Sequence, residues 1–104
     1  MTNRPRHPKP DGNQSTIVSE LRANGFDVDD VSSLGGTVLD LIVLGYHVLL
    51  SRPVMSKWEI KPRDGKLTRL ERDYLSVIAE KFGPDVPVRL GRSTEDVLRW
   101  YGWI

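Results

Sequence analysis

Apolar positions fall in short groups whose spacing changes along the chain. Ile17, Val18 and Leu21 recur at helical spacing, with Gln14 one turn earlier. Asp11 and Asn13 in front are good N-cap types, and Gly25 fits the position that ends a helix. Phe26 and Val28 alternate with Asp27 and Asp29, which predicts a short strand or extended link. Gly35 and Gly36 mark a turn. Residues 38–44 form an apolar run broken only by Asp40, rich in branched side chains, and predict a strand. Residues 46–50 either extend it or form another. Ser51, Arg52 and Pro53 predict a turn, and residues 55–61 a strand that Pro62 helps to end.

The second half is better punctuated. Thr68 and Glu71 stand at capping-box spacing, and Leu70, Tyr74, Leu75, Ile78 and Phe82 follow with helical period before Gly83-Pro84. Residues 86–90 predict a strand. Ser93 and Asp96 cap a last helix whose apolar side is Val97, Leu98 and Tyr101. The element order is α-β-β-β-α-β-α, an α/β fold in a single domain over residues 13–104. Before it, residues 1–12 hold Arg4, Arg6 and Lys9 among prolines, with almost nothing apolar, and are expected to form a mobile basic arm.

Composition removes several chemistries. Without cysteine there is no disulfide framework, thiolate metal site or cysteine nucleophile. His7 and His47 have no metal-ligand neighbours, and no glycine-rich phosphate loop or nucleophile elbow occurs. No organic cofactor is expected. No apolar run approaches the length of a membrane span, so no membrane partner is expected and a cytoplasmic location is the default. The net charge of +1 argues neither for nor against nucleic acid, so the distribution of charge has to decide.

Carboxylates and lysines remain. Strand geometry puts Glu59 and Lys61 on one face with Ile60 on the other. Asp40 interrupts the most apolar strand, where a charge is costly unless paired or bound to metal. If the two strands pair as a hairpin, Asp40 and Glu59 meet near its open end with Lys61 beside them. Such oxygens suit Mg²⁺ or Mn²⁺, which activates water and neutralises charge developing on a phosphodiester, and a lysine can position the attacking water. A surface salt bridge on a half-buried sheet is the alternative. Asp64-Gly65-Lys66 repeats the short pattern, but in turn chemistry. Lys57, Lys61, Arg63, Lys66, Arg69 and Arg72 cluster after the site and would suit a phosphate backbone, or simply a solvated surface. Trp100, Tyr101, Trp103 and Ile104 either pack the last helix or provide a self-association surface, as in a homodimer.

In this order and spacing, the residues resemble the PD-(D/E)XK nuclease superfamily, above all its small phage-type members related to VRR nucleases and Holliday junction resolvases. The resemblance is carried by Asn13-Gln14 through Gly25, by Gly35-Gly36 with Leu39-Asp40-Leu41, by Glu59-Ile60-Lys61, and by Leu67-Thr68 with Glu71. It implies a restriction-endonuclease-like mixed sheet flanked by helices. It also implies a metal-dependent endonuclease acting on DNA, selective for branched structures, in a bacterial host or phage setting. Asp40, Glu59 and the Ile60 carbonyl would hold Mg²⁺ or Mn²⁺, Lys61 would orient or activate water, and Gln14 would assist catalysis. Lys57, Arg63, Lys66 and Arg69 would bind DNA. Three features depart from the pattern: Leu39 replaces a proline, Asp40 and Glu59 are widely separated, and the first helix carries Gln14 or Thr16 where many relatives have glutamate, with Glu20 a turn further on expected to be a solvated helix residue. A nucleic-acid-binding module with weak or no catalysis, or an interaction domain using the C-terminal aromatics, are the alternatives.

Overall fold

The computed structural model describes residues 12–34, 39–82 and 87–104. The basic arm, the Gly35-Gly36 turn and Gly83-Pro84 lie outside these residues. The elements run α1 (Gly12–Ala23), β1 (Asp27–Asp30), a 3₁₀ turn (Ser32–Leu34), β2 (Leu41–His47), β3 (Arg52–Ile60), α2 (Arg69–Phe82), β4 (Val88–Gly91) and α3 (Thr94–Trp100). This is an α/β fold with one four-stranded mixed sheet in the order β1-β2-β3-β4. The first three strands are antiparallel, and β4 joins β3 in parallel after the α2 crossover. No helix among the described residues is long and apolar enough to cross a membrane.

The core lies on one face of the sheet. Ile17, Val18 and Leu21 of α1 and Val97 of α3 meet Val28, Leu41, Val43, Val54, Trp58 and Ile60 there. Gly25 ends α1 with a positive φ of 87° that glycine adopts without steric cost. Tyr101, just past α3, is fully buried. Its hydroxyl donates toward the carbonyls of Val54 (2.7 Å) and Val43 (3.1 Å) and lies 2.8 Å from Ser56 Oγ. Ser56 Oγ also accepts the Trp58 indole N–H at 2.8 Å. Half of the C-terminal aromatic cluster is thus core, whereas Trp103 and Ile104 stay exposed.

Phe26 packs where β2 has Gly45. A Cβ at position 45 would fall on the Phe26 ring. Gly45→Ala is therefore expected to lower stability by about 1–3 kcal/mol, measured by urea unfolding, and an unchanged midpoint would contradict this packing.

Four expectations need correction. Asp40 does not interrupt β2 but precedes it. Its N–H bonds the Trp58 carbonyl at 3.0 Å, and its carboxylate then takes the place of the next ladder carbonyl. Arg52 and Pro53 belong to β3, not to the turn, which is made by residues 48–51. Pro53 fits because β4 reaches only Lys57 to Ile60, so the missing N–H faces an edge of β3 that β4 leaves uncovered. Leu70 is 69% exposed, and none of the α2 side chains described joins the core cluster, because α2 lies beside β4 instead of across the sheet. Glu20 is no free helix residue, since it accepts a short hydrogen bond from the Thr94 hydroxyl and ties α1 to α3.

Candidate active site

Hairpin pairing of β2 with β3 brings Asp40 to Glu59. Asp40 grips β3 on both sides of that residue: its N–H reaches the Trp58 carbonyl, and Oδ2 accepts the Ile60 N–H at 2.8 Å. Glu59 projects from the sheet face opposite Trp58 and Ile60 and is only 4% exposed. One of its oxygens, Oε1, is buried without a hydrogen-bond donor. The other lies 3.9 Å from Lys61 Nζ.

Lys61 follows β3 directly and is held from several directions. Its ammonium donates to Glu71 Oε2 at 3.1 Å and stands 2.9 Å from Oε1 as an ion pair. Its N–H bonds the Gly91 carbonyl at 3.0 Å, and its carbonyl accepts from the Asn13 side-chain amide at 2.9 Å. Glu71 performs two tasks. It closes the capping box, accepting the Thr68 N–H at 2.8 Å while its own N–H bonds Thr68 Oγ1 at 3.1 Å. It also points that carboxylate at Lys61. Asn13 Oδ1, like Glu59 Oε1, is buried without a donor, and these two atoms are the buried side-chain acceptors left without a donor among the described residues. Both belong to residues next to Lys61. Unpaired buried acceptors are rare and mark places where something further is bound or protonated.

The carboxylates are strongly biased against each other. Burial, then the Asp40 charge and a hydrogen bond shared with Asp40, and then Glu71, push Glu59 up to about 9. Burial also raises Asp40, with Asp30 adding to the rise, although the Ile60 N–H, Glu59 and Lys61 hold it back. Glu71 moves the other way. Burial opposes its charge, but the Thr68 N–H, Lys61 and Glu59 together outweigh that effect and lower it.

No family model, curated protein or solved structure matches this chain.

Asp40, Glu59 and Lys61 come together, and Ile60 joins them through its N–H. Gln14 is buried, but its amide donates to Asp30 Oδ1 at 3.2 Å, so it reaches the pair only through Asp30. Asp30 is in turn fixed by the N–H and hydroxyl of Ser32 at 3.1 and 2.7 Å. Lys57 lies two residues before Glu59 on the same strand face. Arg63, Lys66 and Arg69 are exposed, and Arg69 stands 3.9 Å from Asp73. The loop carrying Arg63 is organised by Arg92, whose guanidinium donates to the carbonyls of Pro62, Arg63 and Gly65. Sequence reasoning missed Glu71 as the partner of Lys61, took Asn13 only for a cap and part of the first-helix pattern, and missed Asp30 and Arg92 altogether. The capping box located Glu71 but gave no sign of a second use.

No three Asp, Glu, His or Cys side chains among the described residues converge as a ready-made metal cage. Two facing carboxylates with an unsatisfied oxygen nevertheless fit Mg²⁺ or Mn²⁺. Mg²⁺ in particular is bound through one or two carboxylates while keeping several waters. A cation there would offset both the burial and the Asp40 charge that push Glu59 up.

Proposed function

We propose that the chain is a Mg²⁺- or Mn²⁺-dependent endonuclease of the PD-(D/E)XK type that hydrolyses DNA phosphodiester bonds, with branched DNA its preferred form. The observation that carries the reading is the convergence of Asp40, Glu59 and Lys61 at the end of β3, with one Glu59 oxygen buried and unsatisfied. Asp40, Glu59 and the Ile60 carbonyl would hold the cation. When bound, it supplies Lewis-acid polarisation of the scissile phosphate. The Ile60 N–H fixes the direction of the Asp40 carboxylate, so that ligand is oriented before any substrate arrives. Glu71 fixes the Lys61 ammonium beside Glu59, where it can position the attacking water and offset charge on the phosphate. Lys57, Arg63, Lys66 and Arg69 would track the DNA backbone, giving salt-sensitive affinity. Action in the cytoplasm of a bacterial host belongs to the same proposal.

The test is cleavage of a labelled four-way junction, a flap, a nicked duplex and supercoiled plasmid, each with Mg²⁺, Mn²⁺ or EDTA. Cutting is expected with either metal and not with EDTA. Lys61→Ala is expected to reduce the rate by about 10²-fold or more without weakening DNA binding comparably. A full rate in EDTA, or in Lys61→Ala, would overturn the assignment.

Among the described residues no group of three metal-ligating side chains forms a cage, since Glu71 is engaged by Lys61 and Thr68; this favours one second reading, a DNA-binding module on this fold without catalysis. It predicts salt-sensitive binding to the same DNAs and no cutting with any metal.

A further inference from the structure

A cleft of about 390 Å³ lies between β4 and α3, lined by Trp58, Arg89, Leu90, Asp96, Arg99 and Trp100. None of Asp40, Glu59 and Lys61 lines it. Strand pairing and helical period build it. Arg89 is the register partner of Trp58, which puts both on the same sheet face. Asp96, Arg99 and Trp100 follow at helical spacing on one side of α3. The indoles of Trp58 and Trp100 stand nearly perpendicular, 6.2 Å between centroids.

The charges in the cleft are unequally employed. Asp96 is occupied: one oxygen accepts the Arg92 N–H at 2.8 Å and the other faces Arg99 at 3.5 Å. Arg89 is exposed, and its guanidinium makes no hydrogen bond or ion pair with any described residue. Two guanidinium groups against one engaged carboxylate leave the cleft positive. An aromatic surface beside one guanidinium without a partner among the described residues, Arg89, and a second, Arg99, at 3.5 Å from Asp96 serves a ligand that is planar at one end and anionic at the other. Bases stack on indole faces irrespective of sequence, and guanidinium pairs bidentately with phosphate oxygens. The volume is within the usual range of small-ligand pockets, roughly 300–1,000 Å³.

We infer that this cleft binds one nucleotide unit, its base against Trp100 and its phosphate at Arg89 and Arg99. The unit is either a free nucleoside monophosphate or the terminal nucleotide of a single strand. In the second case the inference deepens the DNA reading and rests on it, giving the strand a foothold apart from the carboxylates. Neither case requires a metal or cleavage.

The experiment is calorimetric titration of the full chain in EDTA with dAMP, deoxyadenosine and inorganic phosphate, alongside polarisation of a labelled single-stranded oligonucleotide bearing a 5′-phosphate. Saturable dAMP binding, tighter than either half of the molecule alone, is expected for the free nucleotide. Saturable binding by the oligonucleotide only is expected for the strand terminus. In both cases Arg89→Ala and Arg99→Ala should each weaken binding by about tenfold, the loss of a charge-assisted hydrogen bond. Arg89 is exposed, so its replacement leaves the core intact. The inference is overturned by no saturation in the low millimolar range for either probe, by phosphate binding as tightly as dAMP, or by arginine variants that bind like wild type. Binding without any metal-dependent cutting would keep the cleft and remove the nuclease, and cutting without Arg89-dependent binding would do the reverse.

Discussion

Asp40→Asn is expected to abolish metal-dependent cleavage, with a loss of about 10³-fold or more, while leaving a folded protein. The substitution separates the structural task that Asp40 performs from the metal-binding task proposed for it. Its carboxylate accepts the Ile60 N–H at 2.8 Å, which continues the β2–β3 ladder by one side-chain bond. The asparagine carbonyl can accept the same hydrogen bond, so the strand end keeps its geometry. The charge needed to hold a divalent cation is gone. Removing one of two facing carboxylates also relieves Glu59, so the variant should melt no lower than wild type at pH 8. Asp40→Ala removes charge and acceptor together, and should cost a further 1–3 kcal/mol, about the penalty of orphaning a buried N–H. Rate assays paired with thermal melts would decide the matter. An Asp40→Asn protein that still cuts at the wild-type rate would rule out this carboxylate as a metal ligand.

The second large effect is on stability against pH. Glu59 in the folded chain holds its proton up to about 9, against an ordinary value of 4.5. Between those values the folded state carries a proton that the unfolded state has released. Stability from this group is therefore fully present below the ordinary value and is lost as pH rises toward 9. The slope is at most about 1.4 kcal/mol per pH unit. Asp40, also raised, contributes with the same sign. Glu71, lowered by the Thr68 N–H and Lys61 against the pull of burial, acts oppositely and loses its contribution in acid. The melting temperature should therefore fall steadily from pH 5 to pH 9 without metal. Glu59→Gln should flatten that profile and melt higher than wild type at pH 8. Millimolar Mg²⁺ at pH 8 should raise the wild-type melting temperature and leave Asp40→Asn unmoved. A flat profile in wild type would show that Glu59 is not held in its protonated form.

These two residues were also the part of the site most legible in the sequence. A charge beside an apolar strand and another within a second strand demand a partner, and a hairpin is the shortest route between them. The capping box at Thr68 and the αL glycine at Gly25 were equally readable, because each depends on bonds within a few residues. What could not be read depends on long-range placement. Pro53 looked like a turn residue because nothing local shows that β4 stops short of it. Leu70 looked like core because helical period marks an apolar face without saying what covers it. The contacts of Asn13 and Arg92 were invisible, since each donates to backbone carbonyls that carry no side-chain signature. Glu71 was found as a cap and missed as the partner of Lys61, because the bond crosses from a helix start to a strand end.

Pro53 has a consequence for the molecule among other molecules. A strand with an open edge is a template on which a foreign strand can add, and sheets that leave such edges bare tend to polymerise. Among the described residues no strand pairs with β3 on one side from Arg52 to Ser56, the stretch that β4 does not reach. Its proline offers no donor there, so an incoming strand would find a gap in the hydrogen-bonding row. The opposite margin of the sheet is β1, where Asp27, Asp29 and Asp30 would set like charges against any second copy. One ring and three carboxylates are thus the features on these margins that oppose growth of the sheet by added strands.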